Sequence, residues 1–592
     1  MNMRKSIAAV VVCAVMVFSS VGIVGVLAAG SVPSGGILKI GWLQEQDTLN
    51  PFVTNTVQGR MTQKLVYDTL LEWNKTLVPS PSLATSWTTS ADGKNWTYNL
   101  VQNATFGDGI ALTAADVKFT FDMIKNLELS AFIDQVKFIS TVTTSGDYQV
   151  TMTYSQLSGT IQSDMCLVPI LPQHVWTGMN KTQVLAATNE EAVGSGPFQL
   201  VSWTKGTSVV MDANKDYWRG APHIDRVAFT MYANSEAMVN ALRSGEIDII
   251  PKELPPTSIS VLNQDSNVKV ATNVDLYYRE ISINCWADGQ GNPTLRDVKV
   301  RQALSMAVDK PTLVDLVQLG SAEPGTTIVQ KAASAWWDSS IDPWPFNISR
   351  ANKLLNDSGY IDVDDDGVRE SPTDHNIEMA YTLLVLQRWP EEMRAGQQIQ
   401  TWWSQIGVKL TVQSADANTI NSYVYPDYKQ DMFLWGYSGQ PDPNFSLLIM
   451  LSNQVGDWND CGYQNASYDA LYDQQAKTVD VSQRKTIINQ MQEIIYNDCP
   501  YIVLYYTTAK GAYRIDTFTG FVNMPTGLLS DVNRFTLREV HLISAESTTP
   551  SSTDYLPWAV AIVAIIVAVA AILMLMRRGK GKVETKAEPP KT

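Results

Sequence analysis

The sequence predicts an α/β protein of several domains with a membrane-type segment at each end, and three observations carry that prediction. The first is size: 592 residues, 45% of them hydrophobic, suffice for about three or four cores. The second is a recurring local unit in which a helix-period stretch stops at a glycine and a strand-like run follows, as at 235–250 and 390–412. The third is a charge-poor apolar run near each terminus, from Ile7 to about Leu27 and from Leu556 to Met576.

The termini set the compartment. Arg4 and Lys5, the apolar run and then Ala28, Ala29 and Gly30 have the order of a secretory signal, so 1–30 is read as a signal peptide or N-terminal anchor. Cys13 lies inside the run, too early for a lipid-modified cysteine. At the far end 556–576 is long enough to span a bilayer, with Trp558 at one edge and Arg577, Arg578, Lys580 and Lys582 beyond the other. The positive-inside rule puts the tail 577–592 in the cytoplasm and everything before Leu556 outside. The Ser/Thr/Pro-rich stretch 541–555 cannot bury a core and reads as a stalk. A net charge of -15 excludes a nucleic-acid backbone as partner, because that binding needs clustered Lys and Arg.

Along the chain, 36–42 (GILKIGW) reads as a first strand, Asp47–Pro51 (DTLNP) as its loop, and 61–71 as a helix. Prolines at 79 and 81 hold the next segment extended. In Trp96 to Asp122 (WTYNLVQNATFGDGIALTAADVKFTFD), Trp96, Tyr98 and Leu100 alternate as a half-buried strand does. Gly107-Asp108-Gly109 supplies a turn, and Thr113 with Asp116 forms a capping box for a helix whose Val117, Phe121 and Ile124 share a face. His174 has no ligand-spaced partner and is read as a structural residue. Gly194-Ser195-Gly196-Pro197 turns into a strand at 198–203. Ser235 is expected to cap a helix that ends at Gly245, followed by a strand at 247–250. Arg301 is expected in a structural ion pair.

Asp362-Val363-Asp364-Asp365-Asp366-Gly367 alternates carboxylates before a glycine, as a calcium loop does. The twelfth position is Thr373 rather than Glu, and Glu370 stands at the ninth. Asp362, Asp364, Asp366 and Glu370 are therefore the candidate ligands of one structural calcium, and no other cofactor is expected. A helix at 390–406 carrying Trp402 and Trp403 ends at Gly407 before a strand at 408–412. A second strand, from Asp431, runs into the Gly/Pro loop after Tyr437. The last units are a helix over 482–496, stopped by Pro500, and a strand at 501–507.

Several of these phrases together resemble the family 5 extracellular solute-binding proteins of peptide/nickel-type ABC importers. The matching residues are Trp96…Leu100, Phe106-Gly107-Asp108-Gly109, Leu112–Val117 (LTAADV), PILPQHV from Pro169, GSGPF from Gly194, LRSGEID from Leu242, and Asp297-Val298-Lys299-Val300-Arg301-Gln302-Ala303-Leu304. The resemblance covers roughly 36–540 and implies a two-lobed periplasmic-binding-protein-like fold of type II with an extra small domain. On that reading lobe I comprises 36–86, 192–280 and 501–540, the small domain 87–191, and lobe II 281–500. It implies a monomeric receptor that is not an enzyme, holds a small-molecule ligand between its lobes, and works with an ABC permease and its ATPase subunits. The C-terminal helix would anchor it in the cytoplasmic membrane with its bulk at the cell surface.

The resemblance also implies a ligand site. The strand end at Trp435, Tyr437 and Ser438 would face the ligand, with Asp442 further on, and Arg394 lies near the position from which dipeptide receptors hold a ligand carboxylate. Such receptors place an Asp three residues after the Trp, where this chain has Ser438. Oligopeptide is the ligand class that the resemblance implies first, and oligosaccharide the alternative that a neutral hydroxyl suits. An extracellular glycoside hydrolase is the rival of another class, since 59 acidic residues neither name nor exclude a catalytic pair. Of the four cysteines beyond Cys13, Cys461 and Cys499 are the expected pair, both falling in one expected domain.

Overall fold

The computed structural model describes residues 32–387 and 389–543. The signal or anchor at 1–30, the membrane span at 556–576, the tail and the stalk from 544 onward lie outside the described residues. Among the described residues no helix is long and apolar enough to cross a membrane.

The first strand forms where expected, β1 at Ile37–Trp42. The next helix, α1, occupies Val57–Val66, four residues earlier than the apolar pattern suggested. The cause is at its N-terminus: Asp47 gathers Thr54 Oγ1, the Asn55 amide and Thr56 Oγ1, and Thr56 then caps the Gly59 amide. Tyr67 turns extended, so Leu71 leaves the helix and opens β2 (Leu71–Trp73), which pairs antiparallel with β3 (Pro79–Pro81).

A four-stranded antiparallel sheet follows, from β4 (Ala84–Thr89), β5 (Asn95–Leu100), β6 (Ile139–Thr144) and β7 (Gln149–Tyr154), in the order β4-β5-β7-β6. In β5 Trp96, Tyr98 and Leu100 are buried while the residues between them are half-buried, as the alternation required. Helix α2 (Ala114–Asn126) packs on β6 and β7, and both halves of the Thr113–Asp116 capping box are present.

The main sheet has eleven strands. One end consists of β8 (Phe198–Thr204), β9 (Ser208–Ala213) and β10 (Arg226–Met231) beside β1, then β11 (Ile249–Ile250). Helix α3 (Ser235–Ser244) is capped by Asn234, whose side chain accepts from the Ala237 amide, rather than by Ser235. It ends as expected at Gly245, at φ 81°. The middle of the sheet is the pair β12 (Val268–Ile283) and β17 (Tyr501–Arg514), antiparallel over most of their length.

Beyond β12 come β16 (Met432–Ser438), then β14 (Ala380–Leu386) and β15 (Lys409–Ala415), with β13 (Ala322–Pro324) pairing off the main path onto β17. Helices at Val298–Met306, Lys310–Gln318, Ile348–Asp357 and Pro390–Ser404 supply a second core with Ile281, Leu383 and Leu434. Arg301, in the first of these, makes no ion pair among the described residues: its guanidinium donates to the carbonyls of Leu295, Arg296 and Asp498.

The cysteine pairing differs from expectation. All four described cysteines are free, and Cys461 lies against Cys285, whose amide donates to its carbonyl at 2.9 Å. Cys499 is turned back on its own helix, donating from Sγ to the Tyr496 carbonyl at 3.1 Å.

Candidate functional site

Strand β16 delivers the residues that sequence marked, and the structure separates them. Trp435 is half-buried, in register with Glu280 and edge-on to Phe433. Tyr437 donates its hydroxyl to Asp460 at 2.7 Å and stacks on Tyr501. Ser438 is exposed at the strand end. Asp442 is buried: it accepts from both Nη atoms of Arg484 at 2.6 and 2.8 Å and from Ser163 Oγ at 2.9 Å. Burial alone would raise the Asp442 pKa, but Arg484 and these hydrogen bonds outweigh it and hold the carboxyl below its usual range. Arg484 also donates to the Gly159 carbonyl, so this ion pair fastens the loop after β16 to the segment after the four-stranded sheet. Arg394 stands exposed on the 390–404 helix and does not line the cleft described below.

The same loop reaches an open cleft through a residue that sequence reasoning passed over. Gln440, two residues beyond Ser438, lines a cleft of about 670 Å³. The other walls are the loop 51–55, Arg60, Gln63 and Lys64 of α1, the turn after α2 with Phe132 and Gln135, and Trp73, Leu167, Leu185, Asp531 and Val532. The volume suits a small-molecule or short-peptide site. Its lining combines aromatic and aliphatic surface with amides from Asn55, Gln63, Gln135 and Gln440.

Two cations face this cleft in a strongly acidic protein. Arg60 is tied to Asp531 at 3.2 Å. Lys64 donates to the Cys166 carbonyl at 2.5 Å, and burial, reinforced by Arg534, pulls its ammonium down to about 8. Cys166, Asp531 and Glu72 oppose that shift. Behind Lys64, Arg534 bridges Asp68 at 2.8 Å and Glu72 at 3.0 Å, while Arg538 and Arg219 also pair with Glu72. Burial would raise Glu72, yet the three arginines hold it at about 2. The acids behind the wall are thus already matched, and with Arg60 tied to Asp531, Lys64 is the cation of the cleft lining without an ion-pair partner among the described residues.

A second polar centre lies on β12 and beside the β16 loop. The Tyr278 hydroxyl, the Glu280 carboxyl and the Gln330 amide are fully buried, and none has a hydrogen-bond partner among the described residues. Gln330 packs against Gly439 so closely that a Cβ there would lie 2.3 Å from its Oε1. Burial first, then the Asp460 charge, push the Glu280 carboxyl well above the usual range.

Elsewhere, His174 sits 2.6 Å from Asp108 and against the edge of Phe106, a structural pair. Asp362, Asp364, Asp366 and Glu370 each bring a carboxylate oxygen within 4.8 Å of the others. Glu370 is buried, and Asp362 Oδ1 is a buried oxygen without a partner among the described residues, so the hard-oxygen donor set fits a calcium ion.

A mixed α/β sheet built on the long pair β12 and β17, with a cleft reached by the loop after β16, is a periplasmic-binding-protein-like fold. The chain belongs to the bacterial extracellular solute-binding proteins, family 5, whose family model, described as the family 5 middle, matches residues 78–458. Members of this family bind solutes and are not enzymes, which removes the glycoside hydrolase reading. The oligopeptide-binding protein AppA of Bacillus subtilis (strain 168) is 24% identical over 489 residues, 81% of this chain and 87% of that protein. The glutathione-binding protein GsiB of Escherichia coli (strain K12) is 26% identical over 498 residues, 81% and 90% of the two chains. Among solved structures, the ABC transporter substrate-binding protein CtaP of Listeria monocytogenes aligns with a TM-score of 0.74 at 23% identity, covering 86% of this chain and 99% of its own. At that identity the likeness shows the fold alone.

Proposed function

We propose that this protein is the receptor of an ABC importer, held at the cell surface by its C-terminal apolar segment, that captures oligopeptides in the 670 Å³ cleft and delivers them to a permease. The observation that carries this reading is the cleft's chemistry. Lys64 presents a positive charge for a peptide carboxylate, the amides of Gln63, Gln135 and Gln440 can hydrogen-bond peptide backbone, and Phe52, Trp73 and Phe132 offer apolar surface to side chains. The similarity to AppA, an oligopeptide-binding protein, and to GsiB, a glutathione-binding protein, supports it. Oligosaccharide is the second reading; it rests on the same amides and on Trp73 as a stacking face. The acidic loop at 362–370 is proposed as a structural calcium site apart from the cleft.

A thermal-shift screen against mixed peptides and cello- and malto-oligosaccharides tests the assignment. A peptide at a hundred times its dissociation constant stabilises by about 2.7 kcal/mol, a visible shift. Lys64→Met should weaken peptide binding by about 1.5–3 kcal/mol, the contribution of a charge-assisted hydrogen bond. The carboxylate needs the ammonium form, so wild-type affinity should fall as pH rises through about 8, and the variant should show no such fall. A response to sugars with none to peptides replaces the peptide assignment.

A further inference from the structure

We propose that Cys285 and Cys461 are a redox-active dithiol that closes to a disulfide, stapling the end of β12 to the loop before the 466–477 helix. The backbones of the two segments touch. The Cys285 amide donates to the Cys461 carbonyl at 2.9 Å, and Cys285 Sγ lies 3.4 Å from the same oxygen. One residue on, a Cβ added to Gly462 would fall 2.2 Å from the Trp286 Cβ, so that position admits only glycine. The backbones of the two cysteines are thus in direct contact, and a disulfide needs Cα atoms within about 4.4–6.8 Å. The other two described cysteines do not compete: Cys166 and Cys499 each donate to a carbonyl of their own local turn, those of Gln162 and Tyr496.

The two thiols differ in a way that orders the chemistry. Cys461 is fully buried, and burial pushes its thiol well up; Cys285 is partly exposed. Contact with the Cys461 thiol, aided by Arg301, holds Cys285 below the usual thiol range. Cys285 is therefore the attacking thiolate. With a small-molecule disulfide of the glutathione class as oxidant, the Cys285 sulfur bonds to one oxidant sulfur, the oxidant's S–S bond breaks, and one small thiolate leaves and takes up a proton. Cys461 then gives up its proton and attacks the Cys285 sulfur, releasing the second small thiol. Two cysteine thiols are oxidised and one disulfide is reduced to two thiols.

The bond would fix the loop whose next residue inward, Asp460, accepts from Ser282, Tyr437 and Tyr501, one on each of β12, β16 and β17. It would lock the end of β12 beside the start of β16, where Ile283 pairs with Met432. An oxidising setting follows from the extracellular reading above, on which the physiological occurrence of the bond rests; the reaction itself does not.

The test is peptide mapping by mass spectrometry of the purified full chain, with and without oxidised glutathione, after trapping free thiols. The expected product is one linked peptide joining Cys285 to Cys461, with the mass of two hydrogens lost, reversed by dithiothreitol. It should persist in Cys499→Ala and be absent in Cys285→Ala. Alkylation of both thiols after oxidation, or a Cys461–Cys499 link, overturns the proposal. A bond that forms on oxidation yet is missing from protein acid-trapped directly from cells supports the dithiol and counts against the extracellular reading.

Discussion

Glu280 shows what a single residue in the wrong-looking place does to a strand. It sits fully buried on β12 with both carboxylate oxygens unpartnered, and burial together with the Asp460 charge raises its pKa well above the usual value. The folded state therefore holds a proton that the unfolded chain releases near pH 4.5, and stability falls as pH rises above that value. The groups that act on it are Asp460, Arg279 and Glu392. Glu280→Gln keeps the shape and removes the titration. We expect the variant to melt higher than the wild type at pH 8 and about level with it at pH 4, as followed by thermal denaturation across that range. A variant less stable at pH 8 would mean that the ionised carboxyl is held by something favourable. None of this was legible in the sequence, where Glu280 is one acid among many. The same holds for Asp442, whose ion pair with Arg484 joins residues 42 apart that no local pattern links. Lys64 had a local signal, a cation set among buried Gln63, Leu65 and Val66, and Gln440 had the nearness of Ser438.

At the scale of elements, short-range chemistry was readable and its exact start often was not. The Thr113–Asp116 box formed as read because it needs only neighbours three residues apart, and β5 because its period of two buries one face whichever strands flank it. Helix α1 was misplaced because the loop that starts it is organised by Asp47, seven to nine residues before its partners. Asn234 displaced Ser235 as cap because its oxygen reaches the Ala237 amide. The acidic loop belongs to this scale too, since a turn of nine residues folds its own carboxylates together. Gly367 at φ 90° makes the turn, and its amide donates to Asp362 at 2.9 Å. Calcium should raise the melting temperature of the wild type after chelation, by about 2.7 kcal/mol at a hundredfold excess over its dissociation constant. Asp364→Ala, at an exposed position, should abolish the response and leave the metal-free melting point almost unchanged. An equal calcium response in both proteins would place the ion elsewhere or nowhere.

At the scale of the molecule, the family phrases carried the fold, and what they could not carry is how the halves are joined. The joint is β12 against β17: the early part of β12 pairs with the part of β17 that also meets β11, and its later part pairs with β16. The pairing with β17 slips twice, between Val274 and Tyr278 where these stretches meet and again between Arg279 and Glu280 within the second. Each slip is a bulge, where a strand bends and twists more sharply and ladder bonds are fewer. The bend falls between the end of the sheet near α1, which supplies Arg60 and Lys64, and the β16 loop, which supplies Gln440. Rotation about it would therefore change the distance between opposite walls of the cleft, with the rest of each half moving as a body. Saturating peptide should lower the radius of gyration measured by small-angle X-ray scattering, because a ligand touching both walls stabilises only the arrangement in which they are near. Lys64→Met at the same peptide concentration should give a smaller change, in proportion to its lost occupancy. A radius unchanged at demonstrated saturation would make the β12–β17 bulges a fixed bend, with the ligand entering a cleft already formed.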